Sequence, residues 1–102
     1  MLHTPEKGLY YHYKHDPQDG FNDYAEEVLG VARHSEDESL LVIYRPLYKN
    51  THLNNAAFYA RPLEMFMENV SAEGRSVPRF TRITDPELVA KLELIKKEMY
   101  GA

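Results

Sequence analysis

Residues 27–48, EVLGVARHSEDESLLVIYRPLY, decide the fold of this chain. Two apolar runs, residues 28–32 and 40–44, flank the polar stretch RHSEDES. The Val, Leu, Ile and Tyr of these runs fit the pleated surface of a strand, whereas the stretch between them is too polar to bury. The pattern predicts a long β-hairpin, and we expect the rest of the chain to pair with this hairpin or to cover it.

Further strand candidates lie on both sides of the hairpin. Residues 8–14 predict a strand before it, and residues 57–61 predict a strand after it. Residues 68–71 and 77–83 flank AEGR, a sequence typical of a tight hairpin turn. Residues 63–67 are apolar without alternation and predict a short turn of helix. The chain is therefore predicted to be mainly β.

Gly30 lies in the middle of the strand predicted at residues 24–33. A glycine at this position has no side chain to pack and marks a bulge or a sharp bend, which a small barrel needs in order to close. Regular alternation along the same strand places Val28 and Val31 on opposite faces. We therefore expect a small antiparallel β-barrel of about five strands.

The C-terminal segment has the period of a helix. TDPE at residues 84–87 is a helix start signal, and Gly101 is a stop signal. The sequence predicts one helix over residues 86–100, whose apolar face is formed by Leu88, Leu92, Ile95 and Met99. We expect residues 1–84 to form the barrel domain. The helical segment, residues 85–102, then packs on the open side of the barrel or on a second copy of the chain in a homodimer.

Composition limits the class of protein. Sixteen acidic residues against twelve Lys and Arg give a formal net charge of −4, which disfavours nucleic acid as a partner because that binding needs clustered Lys and Arg. The absence of cysteine excludes disulfides, thiolate metal sites and cysteine nucleophiles. No apolar run approaches the roughly 20 residues of a membrane helix, and no signal peptide is apparent. We expect a soluble, cytoplasmic protein with no membrane partner.

Five short blocks carry a family resemblance: HYK at 12–14, EVLGVARHSE at 27–36, VIYRPLY at 42–48, RPLEMF at 61–66 and VPRF at 77–80. In this order they resemble a bacterial family catalogued as domain of unknown function 1653. The resemblance covers about residues 8–83 and implies a small SH3-like β-barrel, but no known activity. The loop at residues 15–23 is longer than the turn typical of the family, and the C-terminal helix lies outside the shared region.

No metal, cofactor or catalytic motif stands out. His12 and His15 are three residues apart, so on a strand they point to opposite faces, and zinc needs three or four converging ligands. His34-Ser35-Glu36 offers a base, a hydroxyl and an acid, but adjacent side chains diverge and triads are assembled from distant segments. We therefore expect no metal and no cofactor, and we interpret the second group as part of a polar turn.

Arg45 and Arg61 are the best candidates for a binding site. Each ends an apolar run just before a proline, and the guanidinium fork binds carboxylate or phosphate. If both strands end at one rim, the arginines share a groove with nearby polar and aromatic side chains: Tyr44, Tyr48, Tyr59, Glu64 and His34. Alternatively, Arg61 pairs internally with Glu64 or Glu27 and the tyrosines fill the core. We expect Arg61 to be structural, and Arg45 to be exposed and to bind the ligand.

Two classes of function remain open. The first is a binding module that recognises a peptide, a partner protein or a small anionic ligand through this aromatic–arginine groove. The alternative is an enzyme, or an accessory domain of one, in which His34, Glu64 or Arg61 supply polar groups to a pocket. A deep pocket with converging His, Glu and Arg would favour the enzyme, and an open groove lined by tyrosines would favour the binding module.

Overall fold

A five-stranded antiparallel sheet is the centre of the computed structural model, which describes residues 3–49 and 57–101. In chain order, the elements are β1 (Gly8–His12), a 3₁₀ turn (Pro17–Asp19), β2 (Ala25–Arg33), β3 (Leu40–Pro46), β4 (Tyr59–Pro62), α1 (Leu63–Met67), β5 (Asn69–Ala72), β6 (Arg75–Pro78), β7 (Phe80–Arg82) and α2 (Pro86–Tyr100). The strand order in the large sheet is β4-β3-β2-β1-β7, and β5 and β6 form a separate two-stranded sheet. The mainly β prediction is confirmed.

The hairpin of β2 and β3 is present as predicted. The strands pair in antiparallel fashion from Glu26 opposite Pro46 to Arg33 opposite Leu40. At the turn, the His34 backbone N–H donates to the Ser39 carbonyl over 2.7 Å. The polar stretch between the strands therefore closes the hairpin by its own backbone bonds and stays at the surface.

A β-bulge lies where Gly30 predicted one. Val28 is opposite Tyr44, but Gly30 is opposite Ile43, so β2 has one extra residue at this point. The extra residue changes the alternation of the strand. As a result Val28 and Val31 both contact the same apolar cluster, and their predicted placement on opposite faces is wrong.

The sheet has two free edges, at β4 and β7, among the residues that the structure describes. No backbone ladder joins these edges there, so the expected closure into a barrel is not found. The segment predicted as one strand at residues 77–83 is divided between two partners. The Arg79 N–H donates to the carbonyl of Glu68, just before β5, and the Arg79 carbonyl accepts from the Tyr13 N–H, just after β1. One predicted strand thus becomes β6 and β7, and the described residues form seven strands in two sheets where about five in one barrel were expected.

Apolar clusters cover both faces of the sheet. The cluster on the face that contacts α1, here called the α1 face, consists of Tyr10, Val28, Val42, Tyr44, Leu63, Phe66 and Phe80. The cluster on the opposite face, here called the α2 face, consists of Leu9, Ala25, Leu47, Ile83 and Leu92. Burial on both faces explains why the central strands carry continuous apolar runs.

Helix α2 has the predicted bounds and packs on the sheet. The Asp85 side chain caps its first turn by accepting from the Glu87 N–H. Leu92 is fully buried, but Met99 is 40% exposed and Tyr100 packs on the cluster in its place, which corrects the predicted face at its last position. The homodimer through α2 stays a prediction. No helix in residues 3–49 or 57–101 has the length and apolar character that a membrane span requires.

Replacing Leu92 with alanine should lower the free energy of unfolding by about 2–5 kcal/mol, because the side chain is buried between α2 and the sheet. Leu94 lies on the same helix and is 64% exposed, so Leu94→Ala is a matched control with an expected change within about 0.5 kcal/mol. Urea denaturation measures both values. Equal losses in the two variants would contradict the packing of α2 on the sheet.

Candidate functional site

Strand β2 presents two consecutive carboxylates to opposite faces of the sheet. Glu26 is opposite Tyr10 and lies on the α1 face, whereas Glu27 is opposite Leu9 and lies on the α2 face. This separation follows from the alternation of side chains along a strand. The two carboxylates have very different partners, and that difference defines the site.

Glu27 is paired at both oxygens. Arg45 Nε donates to its Oε1 over 2.8 Å, and Lys96 Nζ lies 3.2 Å from its Oε2. The Arg45 guanidinium also lies 3.9 Å from the centroid of the Tyr100 ring, a cation–π contact. Because Lys96 and Tyr100 belong to α2, this cluster attaches the helix to the sheet. We call it the Glu27 network.

A pocket of about 540 Å³ opens above Glu26 on the other face, and we call it the Glu26 pocket. It is lined by His12, Asp23, Tyr24, Glu26, Tyr44, Tyr48, Lys49, Tyr59, Arg61 and Phe80. Strands β1, β2, β3, β4 and β7 all contribute to it, together with the segments that follow β3 and precede β2. The whole width of the large sheet therefore shapes this pocket.

Six rings form a continuous series of contacts in the pocket lining. The centroids of successive rings lie 5.1–5.6 Å apart in the order Tyr48, Tyr24, His12, Phe80, Tyr44 and Tyr59. We call this series the aromatic wall. Tilted, stacked and edge-on pairs of this kind hold rings in place, so the wall gives the pocket fixed apolar surfaces.

Glu26 is the buried polar group of the pocket, with an exposed fraction of 4%. The Tyr48 hydroxyl donates to its Oε1 over 3.3 Å, but Oε2 has no hydrogen-bond partner among the described residues. Burial raises the pKa of Glu26 to about 8, although the Tyr48 hydrogen bond and the Arg61 charge act to lower it. The carboxyl group therefore keeps its proton at neutral pH.

Arg61 supplies positive charge to the same pocket. Its Nε donates to the Tyr44 hydroxyl over 3.1 Å, and its guanidinium lies 5.6 Å from the centroid of the Phe80 ring. It forms no ion pair within residues 3–49 and 57–101. Burial, followed by the charge of Arg61, lowers the pKa of His12 to about 4, so His12 is neutral at pH 7. Arg61 is thus the half-buried cation of the pocket.

The structure brings together four of the seven side chains that the sequence proposed for a site, namely Arg61, Tyr44, Tyr48 and Tyr59. Arg45 is not among them, because it is opposite Glu27 in the pairing of β2 with β3 and lies on the α2 face, away from the pocket. The shared rim for the two arginines is therefore not found. The internal pairing expected of Arg61 is formed instead by Arg45, through Glu27.

The remaining two predicted residues lie elsewhere. Glu64 lines a separate pocket of about 420 Å³ beside Arg33 and Leu40. The His34 ring organises the hairpin turn, where its Nδ1 accepts from the Glu36 backbone N–H over 3.1 Å. Neither side chain lines the Glu26 pocket.

Sequence reasoning missed Glu26, His12, Tyr24 and Phe80. A signal for Glu26 was available, because it lies two residues before Val28 and therefore on the same face of the predicted strand. A carboxylate on an apolar face is a candidate functional group. The other three side chains could not be assigned without the pairing of β1 with β2 and β7. Within the described residues, no group of three or more metal-binding side chains is clustered.

The fold and the pocket define a small, mainly β domain with an aromatic pocket on one face of its sheet. The chain belongs to the DUF1653 family: a family described as "Protein of unknown function (DUF1653)" matches residues 8–82. The resemblance found in the sequence is thereby confirmed, and α2 lies outside the matched residues.

A solved structure supports the same assignment. The crystal structure of a DUF1653 protein from Bordetella bronchiseptica is similar, with 27% identity and a TM-score of 0.61, over 79% of this chain and 94% of that chain. No curated protein matches the chain. The comparisons therefore define the family but supply no activity.

Replacing Arg45 with alanine should lower the free energy of unfolding by roughly 1–3 kcal/mol, because it removes an ion pair and a cation–π contact from the Glu27 network. This reverses the expectation of an exposed Arg45. Arg75 is exposed on β6, so Arg75→Ala is the control and should change stability by about 0.5 kcal/mol or less. Urea denaturation that finds the two variants equally stable would contradict a structural role for Arg45.

Glu26 should make the protein less stable as the pH rises from 6.5 to 8. Its pKa is 4.5 ordinarily and about 8 in the folded state, so the folded state binds more protons in this range and the free energy of unfolding falls with pH. The lowered pKa of His12 acts in the opposite direction, mainly below its ordinary value of 6.5 and only weakly above it. The expected loss is roughly 2 kcal/mol.

Urea denaturation at a series of pH values measures this loss. In Glu26→Gln the side chain cannot ionise, so the variant should be nearly free of the decline. A decline of the same size in the wild-type protein and the variant would show that Glu26 has an ordinary pKa.

Proposed function

We propose that this domain is a binding module that takes a small ligand with an anionic group into the Glu26 pocket. The observation that carries the proposal is the environment of Arg61. It lies against an aromatic wall and has no ion pair with the described residues, whereas Arg45 on the other face is paired with Glu27. Arg45 is therefore used to hold the structure together, whereas the charge of Arg61 is available to a ligand.

The chemistry of the pocket suits an anion attached to an apolar body. A guanidinium gains about 1.5–3 kcal/mol from each charge-assisted hydrogen bond to a carboxylate or phosphate. The rings beside Arg61 offer apolar faces for the rest of the ligand. The volume of about 540 Å³ is within the range of roughly 300–1,000 Å³ for small-molecule sites. These features favour a small ligand over a peptide or a partner protein.

The SH3-like barrel that the family resemblance implied belongs to the same proposal. It is supported by the bulge at Gly30, which bends β2, and by contacts between the edge strands. Arg61 of β4 lies over the ring of Phe80 of β7, and Tyr44 contacts the same ring. We propose a partly open barrel that side chains close across the Glu26 pocket.

An enzyme is the second candidate, because the pocket brings a His, a Glu and an Arg together. Glu26 keeps its proton at neutral pH, as a general acid must. However, the described residues that line the pocket include no Ser, Thr or Cys as a nucleophile. Binding is therefore the function that the pocket supports best.

A titration with phenyl phosphate, followed by ¹H–¹⁵N NMR spectra, tests the proposal. The probe joins an aromatic ring to a dianion, so it should shift the amide signals of residues in the Glu26 pocket. Arg61→Gln should weaken its binding by roughly 10- to 100-fold, the equivalent of one charge-assisted hydrogen bond. Arg75→Gln, which alters an exposed arginine on β6, is the matched control and should bind as the wild type does.

The proposal is wrong if phenyl phosphate shifts no amide signals of residues in the Glu26 pocket, or if the Arg61→Gln variant binds phenyl phosphate as tightly as the wild type. Inorganic phosphate is a second probe. If it binds as tightly as phenyl phosphate, the aromatic wall contributes nothing and the proposed mode of binding is wrong.

A further inference from the structure

We infer that the ligand of the Glu26 pocket is a planar nitrogen heterocycle that hydrogen-bonds to the Glu26 carboxyl group through its polar edge and carries an anionic group to Arg61. This is the chemistry of a mononucleotide. The inference rests on the proposed function and adds to it the identity of the two ends of the ligand.

The first argument is the unpartnered oxygen of Glu26. Oε2 is buried and has no hydrogen-bond partner in the described part of the chain. Glu27, the next residue, is different, because cations bind both of its carboxylate oxygens. A buried polar atom without a hydrogen-bond partner destabilises the folded protein. A ligand that supplies a partner at this point would remove that cost.

No donor in the described pocket lining is bonded to Glu26 Oε2. The Tyr48 hydroxyl is directed to Oε1, and Arg61 Nε is directed to the Tyr44 hydroxyl. The second carboxylate in the lining, Asp23, is less buried and accepts from the Asp16 backbone N–H through its Oδ2. Glu26 Oε2 is therefore the buried polar atom of the lining that lacks a partner among the described residues.

The charge of the pocket favours a neutral N–H over an ammonium group. Arg61 and Lys49 both line the pocket, and a cationic ligand would be repelled by both. A ring N–H adds no charge. The carboxyl of Glu26 retains its proton at neutral pH because burial raises its pKa, and a carboxylic acid pairs well with the mixed donor and acceptor edge of a heterocycle.

The aromatic wall favours a flat ligand. Nitrogen heterocycles stack on Tyr, Phe and His rings whatever their exact substitution, and four tyrosines line this pocket. Arg61 then lies within the same pocket to receive an anionic group, for which phosphate is a suitable match to the guanidinium fork. A ligand with all three features combines a base with a phosphate.

Isothermal titration calorimetry of the full chain with AMP, GMP, CMP and UMP tests this inference. At least one of the four should bind. The corresponding nucleoside should bind roughly 10- to 100-fold more weakly, because it lacks the phosphate that contacts Arg61. Ribose 5-phosphate, which has no base, should show the same loss or no binding. Ribose 5-phosphate that binds as tightly as the nucleotides would overturn the inference.

Glu26→Met isolates the contact to the heterocycle, because it removes the carboxyl group and keeps an unbranched side chain. It should weaken the bound nucleotide roughly 10- to 100-fold, a loss roughly tenfold greater than that for phenyl phosphate, which has no heterocyclic edge. Glu36→Met, at an exposed position of the hairpin turn, is the control. Circular dichroism checks that both variants are folded.

The two proposals fail in different ways. If phenyl phosphate binds in the pocket but none of the four nucleotides does, or if Glu26→Met binds the nucleotide normally, the heterocycle inference is wrong and the binding module stands. If neither phenyl phosphate nor any nucleotide binds, both are wrong.

Discussion

The alternation of side chains at Glu26 and Glu27 is the constraint on which the structure depends. Glu26 directs its carboxyl group to the pocket and Glu27 directs its carboxylate to α2, because successive side chains of a strand point to opposite faces. Both faces are covered, since β2 is the middle strand of the large sheet. A shift of one residue in the register of β2 would exchange the two faces. The bulge between Val28 and Gly30 comes after this pair, so it bends the strand without disturbing the placement of the two acids.

Charged side chains are paired on the α2 face of the sheet, but among the described residues Glu26 and Arg61 form no ion pair on the α1 face. On the α2 face, Glu27, Arg45 and Lys96 form a network in which the charges neutralise one another and join the helix to the sheet. On the α1 face, Glu26 and Arg61 influence each other electrostatically but form no ion pair. Such an arrangement is less stable than a paired one. Polar groups left unsatisfied within a well-packed domain are expected at functional sites, which is why we propose that this face binds the ligand.

The sequence was sufficient to predict structure that local patterns determine. The hairpin, the irregularity at Gly30, and the bounds of α2 follow from apolar period, glycine and capping residues. Predictions that depended on packing between segments were less successful. Tyr100, one residue beyond the predicted helical face, replaces Met99 because its hydroxyl donates to the Pro46 carbonyl and its ring meets Arg45. Neither contact can be read from the helix alone.

The roles of the two arginines show the same limit. Arg45 and Arg61 have the same local context, an apolar strand before them and a proline after them. What separates them is strand pairing. The pairing of β3 with β4 places Arg61 opposite Val42 on the α1 face, and the pairing of β2 with β3 places Arg45 opposite Glu27 on the α2 face. A sequence-based assignment would have needed the register of three strands. The predicted grouping of the tyrosines does not depend on the arginines, since Tyr44 and Tyr59 are directly opposite each other in the pairing of β3 with β4.

The central claim is that Glu26 is a desolvated carboxyl group without an ion-pair partner at the base of the pocket. The most direct measurement is a pH titration of the side-chain carboxyl carbons by NMR in protein labelled with ¹³C-glutamate, in which the Glu26 signal is identified by its loss in Glu26→Gln. The structure predicts a midpoint of about 8 for this signal. A midpoint near the ordinary value of 4.5 would mean that Glu26 is solvated or paired with a cation, and would contradict the account.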